Sequence, residues 1–164
     1  MLNLKKITDG ISIAGQPTED ELRGAHARGV NTLVNLRTDD EDGFLPTEER
    51  IVESTGATYA AIPVSPVTLD DLAVERFSQA LSSVNAQPAI VHCKGGGRAG
   101  VMTLLHLSIE NGWSLQKTLE EGEKHGIAPA PDSPYRAFFE SFIRRHSPGE
   151  RISVDENGNP LTLS

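Results

Sequence analysis

The sequence predicts a three-layer α/β sandwich: a central sheet of about four to five strands, mostly parallel, flanked by helices on both faces. Three observations predict it. Strand-like and helix-like segments alternate along the chain. The stretch Ala89-Ile90-Val91 is apolar without polar alternation, as in a strand covered on both faces. The segment from Val101 to Ile109 is apolar nearly all round, the pattern of a buried helix.

In chain order, Leu4 to Ala14 reads as two short strands turned at Asp9-Gly10, a pair suited to hairpins. Thr18 to Arg28 is a helix, with Thr18 as N-cap, Glu21 completing a capping box and Gly29 as the stop. Asn31 to Leu36 is a short β-branched strand. Pro46 to Ser54 is a helix ended by Gly56, and Thr58 to Val64 is a strand closed by Pro63 and Pro66. Thr68 caps a helix from Leu69 to Val84, whose Leu72, Phe77, Ala80, Leu81 and Val84 recur at helical spacing. Pro88 to His92 is a strand and Arg98 to Glu110 a helix. Ser114 caps another helix to Lys124, and Pro134 opens a last one to Arg145. From Ser147 the chain turns polar, and Asn157-Gly158 predicts a small hairpin of 152–154 against 161–163. The expected division is one unit over 1–146 and a tail over 147–164.

Composition narrows the function. The 164 residues suit one domain with a sizeable core. Lys plus Arg number 15 and Asp plus Glu 23, a formal charge of −8 that repels nucleic acid and anionic membrane. No apolar run approaches the roughly 18 residues of a membrane span, and Met1 to Lys6 lacks the apolar stretch of a signal peptide. The expectation is a cytoplasmic protein with no nucleic-acid or membrane partner. One cysteine, Cys93, makes neither an intramolecular disulfide nor a Cys-rich metal site. His26, His125 and His146 have no ligand spacing, and His106 in its apolar helix reads as a satisfied core histidine, so no metal is expected.

Chemistry concentrates in His92-Cys93-Lys94-Gly95-Gly96-Gly97-Arg98-Ala99-Gly100. A buried strand ends at Cys93, three glycines follow, and Arg98 opens a buried helix. The glycines free successive N–H groups to turn toward one point. Such a nest at a helix N-terminus binds an oxyanion, and Arg98 adds a two-pronged contact to the same anion. The same field favours the thiolate of Cys93, the form that attacks. Residues 94–98, including Lys94, Gly95, Gly96 and Gly97, are therefore the expected phosphate cradle. His92 is expected to hydrogen-bond within the fold and shape the loop, because alternation turns it away from Cys93. Arg37 reads either as a second anion contact or as a structural ion-pair partner. The run Asp39-Asp40-Glu41-Asp42 reads as a solvated loop.

The segment from His92 to Gly100 resembles the signature of the cysteine-dependent phosphatases, the tyrosine and dual-specificity class. Gly15-Gln16-Pro17, Gly29 to Arg37, Tyr59 to Val64 and Ser133-Pro134-Tyr135-Arg136-Ala137-Phe138-Phe139 extend the likeness over about residues 7–145. Their order is similar to the bacterial branch found alone or joined to β-lactamase-like hydrolases. The resemblance implies a dual-specificity-phosphatase-like fold. It also implies a phosphocysteine on Cys93, no cofactor, and a phosphorylated protein or small phosphoester as substrate. Three departures accompany it. Four residues, not five, separate Cys93 from Arg98, a short form that the bacterial branch shares with sulfurtransferases of the rhodanese class. Ala99 replaces the Ser or Thr that follows the arginine. Ser65 occupies the usual seat of the aspartic general acid, with Asp70 and Asp71 the nearest carboxylates. A persulfide-forming sulfurtransferase and a non-catalytic binder of phosphorylated residues remain the alternatives.

Overall fold

The computed structural model describes residues 1–147, 153–154 and 160–161. Strands β1 (Lys5–Lys6), β2 (Ile11–Ala14), β3 (Thr32–Asn35), β4 (Thr58–Ala61) and β5 (Ala89–His92) form one sheet in the order β1-β2-β5-β3-β4. All neighbours pair in parallel except β1 and β2, which form the antiparallel hairpin expected around Asp9-Gly10. Two further short strands, β6 (Ser153–Val154) and β7 (Pro160–Leu161), pair antiparallel with each other. The expected turn at Asn157-Gly158 lies outside the described residues.

Strand alternation divides the core. Ile13, Val91, Val34 and Ala60 lie side by side across the sheet and face one layer of helices. That layer contains α3 (Asp71–Ser82), α4 (Gly97–Asn111), α5 (Leu115–His125) and α6 (Arg136–His146). Ala14, Leu33 and Ile90 face the opposite layer, where Leu22 of α1 (Glu19–Ala25) and Ile51 and Val52 of α2 (Glu48–Ser54) cover them. The sheet, covered on both faces, is the middle of three layers. Helix α4 carries the core: nine of its residues are buried, including Met102, Leu104 and Leu105 at 0% exposure. Gly100 lets it pack tightly, because a Cβ there would lie 2.8 Å from Cβ of Ile127. No helix among the described residues is long and apolar enough to cross a membrane.

Local signals set most element ends. Thr18 and Glu21 form the reciprocal capping box, and a 3-10 turn over His26–Arg28 ends at Gly29 with φ of 99°. Helix α3 departs from expectation. Its N-cap is Asp70, whose carboxylate accepts from the Ala73 amide, while Thr68 closes a turn with Ser65 through reciprocal side-chain bonds. The start moves two residues along and the core-facing stripe becomes Ala73, Val74, Phe77 and Leu81. Leu72 and Val84 point outward, at 50% and 91% exposure. Helix α6 begins at Arg136, two residues after Pro134, and β4 ends at Ala61, before Pro63.

Candidate active site

Because β2, β3, β4 and β5 are parallel, the segments leaving their carboxyl ends converge on one side of the sheet, where α/β folds bind ligands. Cys93 follows β5. Its side chain is buried, and its sulfur accepts a bond from the Gly96 amide at 3.0 Å. An N–H aimed at sulfur suits a thiolate. Gly96 caps α4 with φ of 103°, a left-handed conformation that strains any residue with a Cβ. Two neighbours hold the loop from outside: Asn3 donates to the Gly95 carbonyl at 2.9 Å, and the Gln16 amide donates to the Lys94 carbonyl at 3.1 Å.

A cavity of about 690 Å³ opens above this loop. Cys93, Gly95, Gly96, Gly97 and Arg98 line it, with Asn3 and Lys5, and with Gly126 to Ala130 and Ser133 to Tyr135 from the stretch between α5 and α6. The predicted nucleophile, three predicted cradle glycines and the predicted arginine therefore come together. Lys94, also expected in the cradle, is exposed and is not among the lining residues.

Arg98 is held by a residue read from sequence as part of a solvated loop. Glu41 receives Nη1 of Arg98 at 2.6 Å and Nη2 at 2.7 Å, and the Val64 carbonyl takes Nη1 at 3.1 Å. A guanidinium has five donors in one plane. These contacts leave Nε–H and one Nη2–H parallel and unengaged among the described residues, the two-pronged edge that suits a phosphate. Asp39, Asp40 and Asp42 are exposed as expected, whereas Glu41 turns inward.

Glu41 in turn accepts from the Thr38 amide at 2.6 Å and from Nε of Arg37 at 3.3 Å. Arg37 is structural: buried, it donates to Gln16 and to the Asp42 and Gly43 carbonyls, and it does not line the cavity. Gln16 reaches Glu48 at 2.8 Å, and Glu48 meets Nε2 of His92 at 2.5 Å, with both side chains almost fully buried. An unbroken polar chain thus runs from His92 through Glu48, Gln16, Arg37 and Glu41 to Arg98. His92 bonds within the fold, as expected. His106 likewise pairs with Ser78 Oγ at 2.9 Å, and burial pushes its pKa down.

The two general-acid candidates are not brought to the cavity. Asp70 is spent on capping α3, and Asp71 pairs with Arg145 at 2.6 Å and His146 at 3.0 Å. The Arg145 guanidinium is the main cause holding the Asp71 pKa down to about 2. The Ser65 hydroxyl is engaged by Thr68 at 2.9 Å. Among the described residues, no group of three or more His, Cys, Asp or Glu side chains forms a metal-binding cluster.

The bond from Arg98 is the largest influence on Glu41 and brings its pKa from 4.5 to about 2. Its carboxylate is 20% exposed, and the drop corresponds to about 3 kcal/mol at neutral pH, as an order of magnitude. A depressed carboxylate pKa stabilises the fold above the unfolded value. That contribution is lost as pH falls from about 4.5 toward about 2. Glu41→Gln is therefore expected to lower stability at pH 7 by roughly 1–3 kcal/mol and to flatten the acid limb. Urea unfolding at several pH values checks this; a limb unchanged by the substitution would show that the pair does not form.

The family described as "Beta-lactamase hydrolase-like protein, phosphatase-like domain" matches residues 3–109. A beta-lactamase hydrolase-like protein of Xylella fastidiosa is 27% identical over 129 residues, 77% of this chain and 30% of that protein. The chain thus spans under a third of the length of that relative. A DUF442 protein from Shewanella putrefaciens superposes with a TM-score of 0.74 at 21% identity, covering 89% of this chain and 94% of the other. The dual specificity protein phosphatase TpbA of Pseudomonas aeruginosa is 23% identical over 134 residues, 80% of this chain and 58% of its own. Its Cys-to-Ser form in complex with pTyr superposes with a TM-score of 0.63 at 19% identity, covering 90% and 92%.

Proposed function

The chain belongs to the phosphatase-like domain family of the beta-lactamase hydrolase-like proteins, and from that premise we propose that it hydrolyses phosphate monoesters through a phosphocysteine on Cys93. The single observation that carries the reading is the meeting, at one cavity, of a sulfur that accepts the Gly96 amide and a guanidinium with one free edge. Thiolate, amides and guanidinium converge where an anion's charge must be stabilised.

In this mechanism the Cys93 thiolate attacks phosphorus in line with the leaving oxygen. The S–P bond forms, and the P–O bond breaks with its electron pair passing to the leaving group. The amides of residues 94–98 and the free edge of Arg98 hold the equatorial oxygens. Water then attacks the phosphocysteine, orthophosphate departs and the thiolate is regenerated. The positive charge comes from protein groups, so the proposed reaction uses no cofactor. Ala99, following the arginine, provides no hydroxyl to ease departure of the thiolate, so a burst of alcohol ahead of a slower steady state suits this chain.

The proposed substrate is a phosphorylated protein or a small phosphoester. The pTyr bound by TpbA makes an aryl phosphate the first ester to try. The proposed functional unit is residues 1–146. Its lone free thiol suits the reducing cytoplasm. One paired assay tests the reading: purified protein with an aryl phosphate, and with thiosulfate plus cyanide. Orthophosphate release is the expected result. Thiocyanate release instead would assign a persulfide-forming sulfurtransferase, and neither product would leave a binder of phosphorylated residues.

A further inference from the structure

The Cys93 cavity contains a nucleophile and an anion cradle, but no Asp, Glu or His is among its lining residues. A leaving alkoxide or phenolate nonetheless needs a proton. Besides Cys93, the lining side chains that carry a transferable proton are those of Lys5, Ser133 and Tyr135. Lys5 donates to the His125 carbonyl at 3.2 Å, and the Ser133 hydroxyl accepts from the Tyr135 amide at 3.2 Å. Tyr135 is different. Its ring packs against the core just before α6, and it lines the same cavity as Cys93 and Arg98. Its hydroxyl bonds to none of the described residues.

Resting on the phosphatase reading above, we propose that Tyr135 is the proton donor to the leaving oxygen, in place of a carboxylic acid. Burial pushes the phenol above its ordinary pKa, against the opposing pull of Arg98, so it is protonated at neutral pH. In the first step the S–P bond forms and the P–O bond breaks. The electron pair reaching the leaving oxygen takes the phenolic proton of Tyr135. In the second step water attacks phosphorus, its proton returns to the Tyr135 phenolate, and the P–S electron pair returns to Cys93. The balance closes without any other reactant. An alkoxide is a much stronger base than a phenolate, so the first transfer runs downhill for alkyl esters, while a dinitrophenolate leaves without help.

The test is Tyr135→Phe, which keeps the ring and removes the hydroxyl. With phenyl phosphate kcat/KM, which reads cleavage of the P–O bond, is expected to fall at least about 10²-fold, the lower end of general acid catalysis. With dinitrophenyl phosphate the expected fall is under about twofold, and inhibition by orthophosphate should be unchanged. Equal losses on both esters, or no loss on phenyl phosphate, would overturn the assignment and leave Tyr135 a packing residue. A second readout keeps the Tyr135 hydroxyl. In a Tyr59→Phe background, fluorotyrosine replaces the one remaining tyrosine with a more acidic phenol, and the dependence of kcat/KM on leaving group should change slope. An unchanged slope would also overturn it. Wild-type protein that hydrolyses no ester, or a Cys93→Ser variant with full activity, would instead overturn the phosphatase reading itself.

Discussion

Cys93→Ser is expected to lose turnover of aryl phosphates by at least about 10⁴-fold, the scale on which removal of a covalent nucleophile acts. A serine hydroxyl is not ionised at neutral pH, and no base lies in the cavity to take its proton: the lining residues include no histidine or carboxylate. Binding should survive, because the loop amides and the free edge of Arg98 are untouched. The Gly96 amide, which now meets sulfur at 3.0 Å, retains an oxygen to address. Orthophosphate affinity, read by calorimetry, should therefore stay within about threefold while kcat collapses. The substitution also abolishes any persulfide, so the thiosulfate assay must be silent with it. Turnover that persisted in the serine variant would move the nucleophile elsewhere and remove Cys93 from the reaction.

The second large effect is expected at Arg98. Lysine keeps the positive charge but offers a single ammonium in place of a planar fork. It cannot donate to both oxygens of Glu41 and to two oxygens of a phosphate at once, as the guanidinium geometry allows. Arg98→Lys should lower kcat by about 10²–10³-fold, the range for losing a preorganised contact to developing charge. It should also weaken orthophosphate binding, which Cys93→Ser should not. Steady-state kinetics with one aryl phosphate checks both parameters. A lysine variant within about threefold of wild type would mean that charge alone matters and the fork is idle.

What the sequence made legible was local. Capping residues, glycine stops and the run from Cys93 to Arg98 act over a few positions, and there the structure agrees with expectation. Two caps in competition were harder. Thr68 and Asp70 both qualify by residue type, and only the turn that Ser65 forms with Thr68 decides for Asp70. Helical spacing also fits two overlapping stripes on α3, so Leu72 and Val84 read as core although they face outward. The support of the site was not legible, because it is non-local. Glu48 and His92 are 44 positions apart, and Glu41 and Arg98 are 57 apart. Glu41 meets Arg98 because β3 neighbours β5, and strand order is not written in local pattern. Charge type and a place after a strand end were the available signals, and four acids in a row share them. Tyr135 was visible only as part of a helix start.

Helix α4 both supplies Arg98 and fills the core. Its first turn, closed by the Gly100 amide on the Gly96 carbonyl at 3.0 Å, is covalently continuous with the most enclosed residues of the molecule. The anion cradle is therefore tied at one end to the packing of Met102, Leu104 and Leu105. Its backbone is thereby anchored to the core, while the amides of Lys94, Gly95 and Gly97, in exposed residues, stay open to a ligand. The cavity's other lining comes from outside the core helix: Asn3 and Lys5 beside the short β1 edge, and the stretch between α5 and α6. The proposed nucleophile and arginine thus sit on the side of the cavity that the core holds, opposite the stretch between α5 and α6.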